Sequence, residues 1–68
     1  MAEMQPVRSS NVAAVGYEDG VLYVEFTSGA TYAYEGVDES TYQALAASSS
    51  PGSYLNTHIK NAYSARRL

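Results

Sequence analysis

Residues 21–36, VLYVEFTSGATYAYEG, carry two alternations of apolar and polar side chains around a Ser-Gly step. Leu22, Val24 and Phe26 alternate with Tyr23, Glu25 and Thr27, and a second alternation centres on Tyr32-Ala33-Tyr34. A period of two marks a strand with one buried face, and glycine supplies the left-handed backbone that tight turns need. The stretch reads as a β-hairpin with a tyrosine pair on its second arm.

How that hairpin closes decides where the tyrosines go. With Ser28-Gly29 as a two-residue turn, Phe26 lies near Thr31. Tyr23, Tyr32 and Tyr34 then gather on the outer face as an aromatic platform. With Thr27-Ser28-Gly29 as a three-residue loop, Gly29 adopts the left-handed conformation and Phe26 faces Ala30. Val24 then faces Tyr32, Leu22 faces Tyr34, and both tyrosines join the core face. A one-residue slip exchanges the faces. The three-residue loop is favoured, because a small domain needs the apolar area.

Upstream, residues 12–18 read as a strand with Ala13, Val15 and Tyr17 on one face. Asp19-Gly20 is a two-residue hairpin signal, since both positions tolerate positive φ. It pairs Glu18 with Val21, Tyr17 with Leu22 and Val15 with Val24, which keeps the apolar residues together. Ser9-Ser10-Asn11 are short polar side chains that bond nearby backbone, or face a ligand. Residues 1–8 show no period and are expected to form a flexible arm ahead of a single domain over residues 9–68.

Downstream, Asp38 is placed to cap a helix with its carboxylate, and Glu39 suits the positive end of the helix dipole. Tyr42, Leu45 and Ala46 recur at helical spacing. The run Ser48-Ser49-Ser50-Pro51-Gly52 ends that helix, and Ser53 is placed to cap a second. There Tyr54, Leu55, Ile59, Ala62 and Tyr63 form one stripe with His58 at its edge, and the tail from Ser64 is expected to fray. The expected fold is α+β. A three-stranded antiparallel β-meander (about 12–18, 21–27 and 30–36) precedes two short helices (about 39–48 and 53–63).

The whole chain sets bounds on this. It has 68 residues, enough for one domain with a marginal core, and no cysteine for a disulfide or thiolate metal site. Oligomerisation is therefore a route to stability, and seven tyrosines are a stock for an interface. The N-terminus MAEMQPVRSS lacks the apolar run of a signal peptide, and no stretch suits a membrane span, so a cytoplasmic protein is expected. The formal charge is −3, and all seven acids lie within the first 39 residues. Residues 40–68 hold Lys60, Arg66 and Arg67 and no acid. That polarity reads as a basic tail, or as a local anion site near Lys60.

The ordered residues resemble a known family. Ser9-Ser10-Asn11-Val12 with Val15-Gly16-Tyr17 comes first, then Leu22, Val24, Phe26 and Gly29. Tyr32, Tyr34 and Val37 follow, then Tyr42 with Leu45. The last group is Gly52, Tyr54-Leu55-Asn56, Ile59-Lys60 and Tyr63. This series is similar to the KTSC domain, a family named for its occurrence at the C-terminus of some lysyl-tRNA synthetases. It also occurs as a stand-alone bacterial or phage protein. The resemblance covers nearly all of residues 9–63, and Tyr32-Ala33-Tyr34 looks like its hallmark. Asp38 stands where proline is common, and Leu55 where phenylalanine is common. Both keep the physical role.

Catalysis has little support in these residues. There is one histidine and no acid–histidine spacing suited to a metal or to general-base work, so no enzyme and no cofactor are expected. His58 reads as a solvated helix edge. Binding has more support. Tyrosine rings stack on nucleobases when exposed, although core packing is the ordinary reading for Tyr32 and Tyr34. The Pro51-Gly52-Ser53 helix start offers backbone amides, Lys60 a cation and Asn56 an amide, against the ordinary reading of helix capping. The candidate ligand-binding residues are Ser10, Asn11, Tyr32, Tyr34, Asn56 and Lys60. Three functions follow. The first is a non-catalytic homo-oligomer binding a nucleotide-like ligand, which by analogy with small phage proteins includes a sponge for a nucleotide immune signal. The second is an RNA-binding module, which the synthetase context of the resembled family implies. The third is a protein-interaction module. Net acidity and sparse cations favour the first over RNA.

Overall fold

Asp19 and Gly20 both take positive φ (53° and 77°), which is the twist a two-residue hairpin turn requires. They join β2 (Val12–Glu18) to β3 (Val21–Phe26) in the register the apolar alternation dictates: Glu18 opposite Val21, Tyr17 opposite Leu22, Val15 opposite Val24. A computed structural model of the chain describes residues 3–68. The second turn is the three-residue loop. Phe26 N–H donates to Ala30 O (2.8 Å), Gly29 N–H donates to Phe26 O (2.9 Å), and Gly29 has φ 99°. Val24 accordingly pairs with Tyr32 and Leu22 with Tyr34 on β4 (Thr31–Glu35). The aromatic platform of the two-residue alternative does not form, because Tyr23 is on the opposite face from Tyr32 and Tyr34.

The fold is α+β, but among the described residues the sheet has five antiparallel strands, not three, and each lies beside its neighbour in sequence. The additional strands are short edges. β1 (Gln5–Pro6) pairs with β2 through Gln5–Val15 and Pro6–Ala14, and half-buried Val7 packs against the core. The stretch expected as a flexible arm is thus tied to the sheet at residues 5–7, while residues 1 and 2 lie outside the described residues. β5 (Ala65–Arg67) pairs with β4 where fraying was expected. Neither strand is long enough to show an alternation, which is why the sequence hid both.

A second correction concerns the start of β2. The register shifts between Val12, opposite Phe26, and Ala14, opposite Glu25. Ala13 is the extra residue of a β-bulge, so Val12 turns onto the same face as Val15. Val12 is 1% exposed and Ala13 only half-buried, the reverse of the strict alternation expected for this strand.

Both helices cover one face of the sheet. α1 (Glu39–Ala47) starts after Asp38, but the Asp38 side chain makes no capping bond; its carbonyl accepts from Thr41 and Tyr42 N–H instead. Tyr17 stacks on Tyr42 (centroids 5.4 Å, 17° between planes) and donates its hydroxyl to Val37 O at 2.6 Å, which fastens α1 to β2. α2 begins at Pro51, not Ser53, with Ser50 as the flanking residue. Proline at the first helical position has no N–H to lose and its φ is already helical. α2 (Pro51–Tyr54) runs into one wide turn, Leu55–Ile59, closed by Lys60 N–H donating to Leu55 O at 2.9 Å. Helical structure thus ends near Lys60 rather than at 63, and Ala62 is exposed rather than part of the core stripe. Leu55 and Ile59 point down onto Val12, Val15, Leu22, Val24 and Tyr34. Each such apolar side chain contributes about 1.5–3 kcal/mol by leaving water. Among the described residues no helix is long and apolar enough to cross a membrane.

Candidate functional site

Gly52 is the contact that shapes the site. A Cβ built there would meet Ser9 Oγ at 2.9 Å and Asn11 Cβ at 3.7 Å, so the start of α2 lies directly against the turn that precedes β2. That turn is held by Ser9 Oγ, which accepts from Asn11 N–H and Val12 N–H, both at 3.2 Å. Thr27 Oγ1 donates to Ser10 O (3.2 Å) and Thr27 N–H to Asn11 O (2.9 Å), which ties the same turn to the β3–β4 loop. Beside this junction a groove of about 1050 Å³ opens between the helical segment, the turn, the β3–β4 loop and β4–β5.

All six residues singled out in the sequence line this groove: Ser10, Asn11, Tyr32, Tyr34, Asn56 and Lys60. They come from a turn, a strand and a helix, and the fold brings them together. The two tyrosines belong to the core face and still border the groove. Tyr32 is half-buried, with its ring edge-on to Phe26 (5.6 Å, 85°). Tyr34 is 2% exposed. Its hydroxyl has no protein partner among the described residues, yet no buried side-chain oxygen there lacks one, so this oxygen is the part of Tyr34 that reaches the groove. Burial raises the Tyr34 phenol above the usual value, and the neighbouring Tyr32 adds in the same direction.

The groove contains more than the sequence reading identified. Arg8, Ser9, Thr27, Ser28 and Asn61 also line it. Arg67 is not among the lining residues, but it pairs directly with Tyr32 across β4–β5, and directly opposed residues share a face, so its position adjoins a residue that does line the groove. Arg66 falls on the other face, 3.4 Å from Glu35. None of the chain's seven acids lines the groove. The sheet performs this separation, because Glu18, Glu25 and Glu35 sit at positions that alternate onto the uncovered face. The signal for Arg8 was available, since it adjoins the Ser-Ser-Asn turn. For Arg67 there was none, because its strand is only three residues long.

His58 stands outside the groove. It is exposed, with its ring 4.5 Å from Tyr54, beside a shallow hollow shared with serine and threonine side chains. Among the described residues no group of three or more His, Cys, Asp or Glu side chains could hold a metal ion. Chemically, the groove offers aromatic surface, neutral hydrogen-bonding groups and cations.

Comparison with known proteins follows the fold. The sequence profile of the KTSC domain matches residues 8–63. A crystal structure of a KTSC domain protein from Yersinia pestis superposes with a TM-score of 0.91 and 32% identity, over 100% of this chain and 99% of that one. A protein of Tsukamurella paurometabola is 39% identical over 67 residues, 96% of this chain and 100% of that protein. An uncharacterized protein of Stutzerimonas stutzeri is 41% identical over 56 residues, 79% of each chain.

Proposed function

The chain belongs to the KTSC domain family, and from that premise we propose that it is a non-catalytic binding protein whose groove takes a nucleotide-like ligand. The observation that carries this reading is the make-up of the groove. Tyr32 lines it, Asn11 and Asn56 offer amides, Lys60 and Arg8 offer positive charge, and no acid is among the lining residues. Nucleobases stack on aromatic rings, amides read base edges, and phosphates seek cations away from carboxylates. The lining residues named here all come from one chain. A protein of this kind would act in the cytoplasm as a sponge that holds a nucleotide signal.

The small ligand is favoured over RNA by the number of cations. The chain has four Lys and Arg in all, and Arg66 is on the far side of the sheet beside Glu35. An RNA backbone needs a cation for each phosphate it places.

The test is a titration of isotope-labelled chain with AMP, followed by amide resonances. Shifts at Asn11, Tyr32, Asn56 and Lys60, with none at Tyr23 or Glu25 on the uncovered face, support the reading. If neither AMP in large excess nor a 5′-phosphorylated dinucleotide moves a groove resonance, the reading is overturned. A parallel titration with single-stranded RNA over a range of salt separates the classes, because RNA affinity falls steeply with salt.

A further inference from the structure

Two cations line the groove, Arg8 and Lys60, and a third, Arg67, lies on the strand paired with Tyr32. Arg8 precedes Ser9, so it stands at the corner where Ser9 meets Gly52. Lys60 lies eight residues beyond Gly52, at the far end of the wide turn that follows α2. Arg67 is two residues along β5 from Ala65, which lines the groove opposite Tyr34. At about 3.3 Å per strand residue it stands roughly 7 Å away, beside Tyr32. Tyr32 thus shares the groove with Arg8 and Lys60, which come from different segments, and has Arg67 opposite it on β5, while no carboxylate is among the lining residues.

Resting on the reading of the groove as a nucleotide site, we propose that its ligand carries two separated phosphates, as a dinucleotide does, and that Arg67 is one of the groups that bind them. A single phosphate engages one corner and leaves the others unused. A diphosphate keeps its charges too close together to reach two corners. Two phosphates joined through a nucleoside hold their charges apart, with a base between them to lie on Tyr32. β5, which only brings in Arg67 by pairing with β4, then has a part in recognition.

The test is calorimetric titration of the intact chain with AMP, ADP, and 5′-phosphorylated diadenylate and diuridylate. At least one dinucleotide is expected to bind at least about tenfold more tightly than AMP or ADP, since a charge-assisted phosphate contact is worth about that factor. Arg8→Gln, Lys60→Gln and Arg67→Gln are each expected to weaken that binding about three- to tenfold. All three side chains belong to exposed residues, and unchanged circular dichroism shows that folding is intact. AMP or ADP binding as tightly as the tighter-binding dinucleotide overturns the proposal and leaves the nucleotide reading standing. So does a dinucleotide affinity that Arg67→Gln leaves unchanged. If none of the four compounds binds, the nucleotide reading falls and this inference falls with it.

Discussion

Gly52 and Ser9 approach each other so closely that even a methyl group on Gly52 would lie 2.9 Å from Ser9 Oγ. Ser9 Oγ cannot simply rotate away, because it accepts from Asn11 and Val12 N–H and so holds the turn that forms one wall of the groove. In Gly52→Ala, the helix propensity gained, up to about 1 kcal/mol, is opposed by overpacking of about 1–3 kcal/mol. The variant should be less stable in urea denaturation. Removing the hydroxyl with Ser9→Ala should change the sign, making Gly52→Ala neutral or stabilising in that background. A double-mutant cycle with no coupling would show that this contact does not constrain the turn.

Tyr17 joins the sheet to α1 through a hydrogen bond and a stacked ring. Tyr17→Phe keeps the stacking on Tyr42 and leaves Val37 O without its 2.6 Å donor. A loss of about 1–1.5 kcal/mol is expected. Tyr17→Ala removes both contacts and should lower stability by about 3 kcal/mol or more. Thermal or urea unfolding distinguishes the two. Equal losses would mean that the ring contributes nothing.

The fold was legible wherever side chains repeat often enough to reveal a period. Leu22, Val24 and Phe26 fixed β3, Asp19-Gly20 fixed the first turn, and the need to bury Tyr34 selected the three-residue loop. Local pattern could not show the bulge at Ala13, which depends on how β2 meets β3, or the two-residue and three-residue edge strands, which form only because a longer strand offers an edge. α2 begins two residues before the position that Ser53, a cap-like residue, suggests, because Pro51 has the φ to begin the helix itself. Residue chemistry drew attention to the six groove residues, but their meeting in one place is a property of the tertiary fold. Arg67 acquires a relation to Tyr32 only through pairing that the tail sequence does not announce.

Tyr34 is a core residue with a polar tip at the groove, so its ring and its hydroxyl should behave differently. Tyr34→Ala removes a large buried side chain and should cost about 3–5 kcal/mol, enough to unfold most molecules of a small domain. Tyr34→Phe loses no protein hydrogen bond and should lie within about 0.5 kcal/mol of the original at neutral pH. The two proteins should diverge in alkali. Burial raises the folded-state pKa above 10.0, so the neutral phenol is favoured by folding. That contribution is complete below the unfolded-state value and is lost as pH rises through the folded one. Stability of the original chain should therefore decline above pH 10 by an amount that Tyr34→Phe lacks, as measured by urea unfolding across the alkaline range.

β5 should act as part of the domain rather than as a tail. It pairs with β4 at Tyr32, Ala33 and Tyr34, and it is bracketed by Glu35 N–H donating to Ser64 O (3.1 Å) and Leu68 N–H donating to Thr31 O (2.9 Å). Without it, β4 becomes the sheet edge, its outward amides turn to solvent, and Tyr34 loses the strand beside it. A chain ending at Tyr63 should unfold at lower urea, by about 1–3 kcal/mol if a few backbone bonds of about 1 kcal/mol each are lost. Hydrogen exchange locates the effect. The Glu35 amide should exchange much faster in the shortened chain, while Val24, on the far side of the pair, stays protected. If Glu35 exchanges equally fast in both chains, β5 is not held in solution, and Arg67 would have no fixed place beside Tyr32.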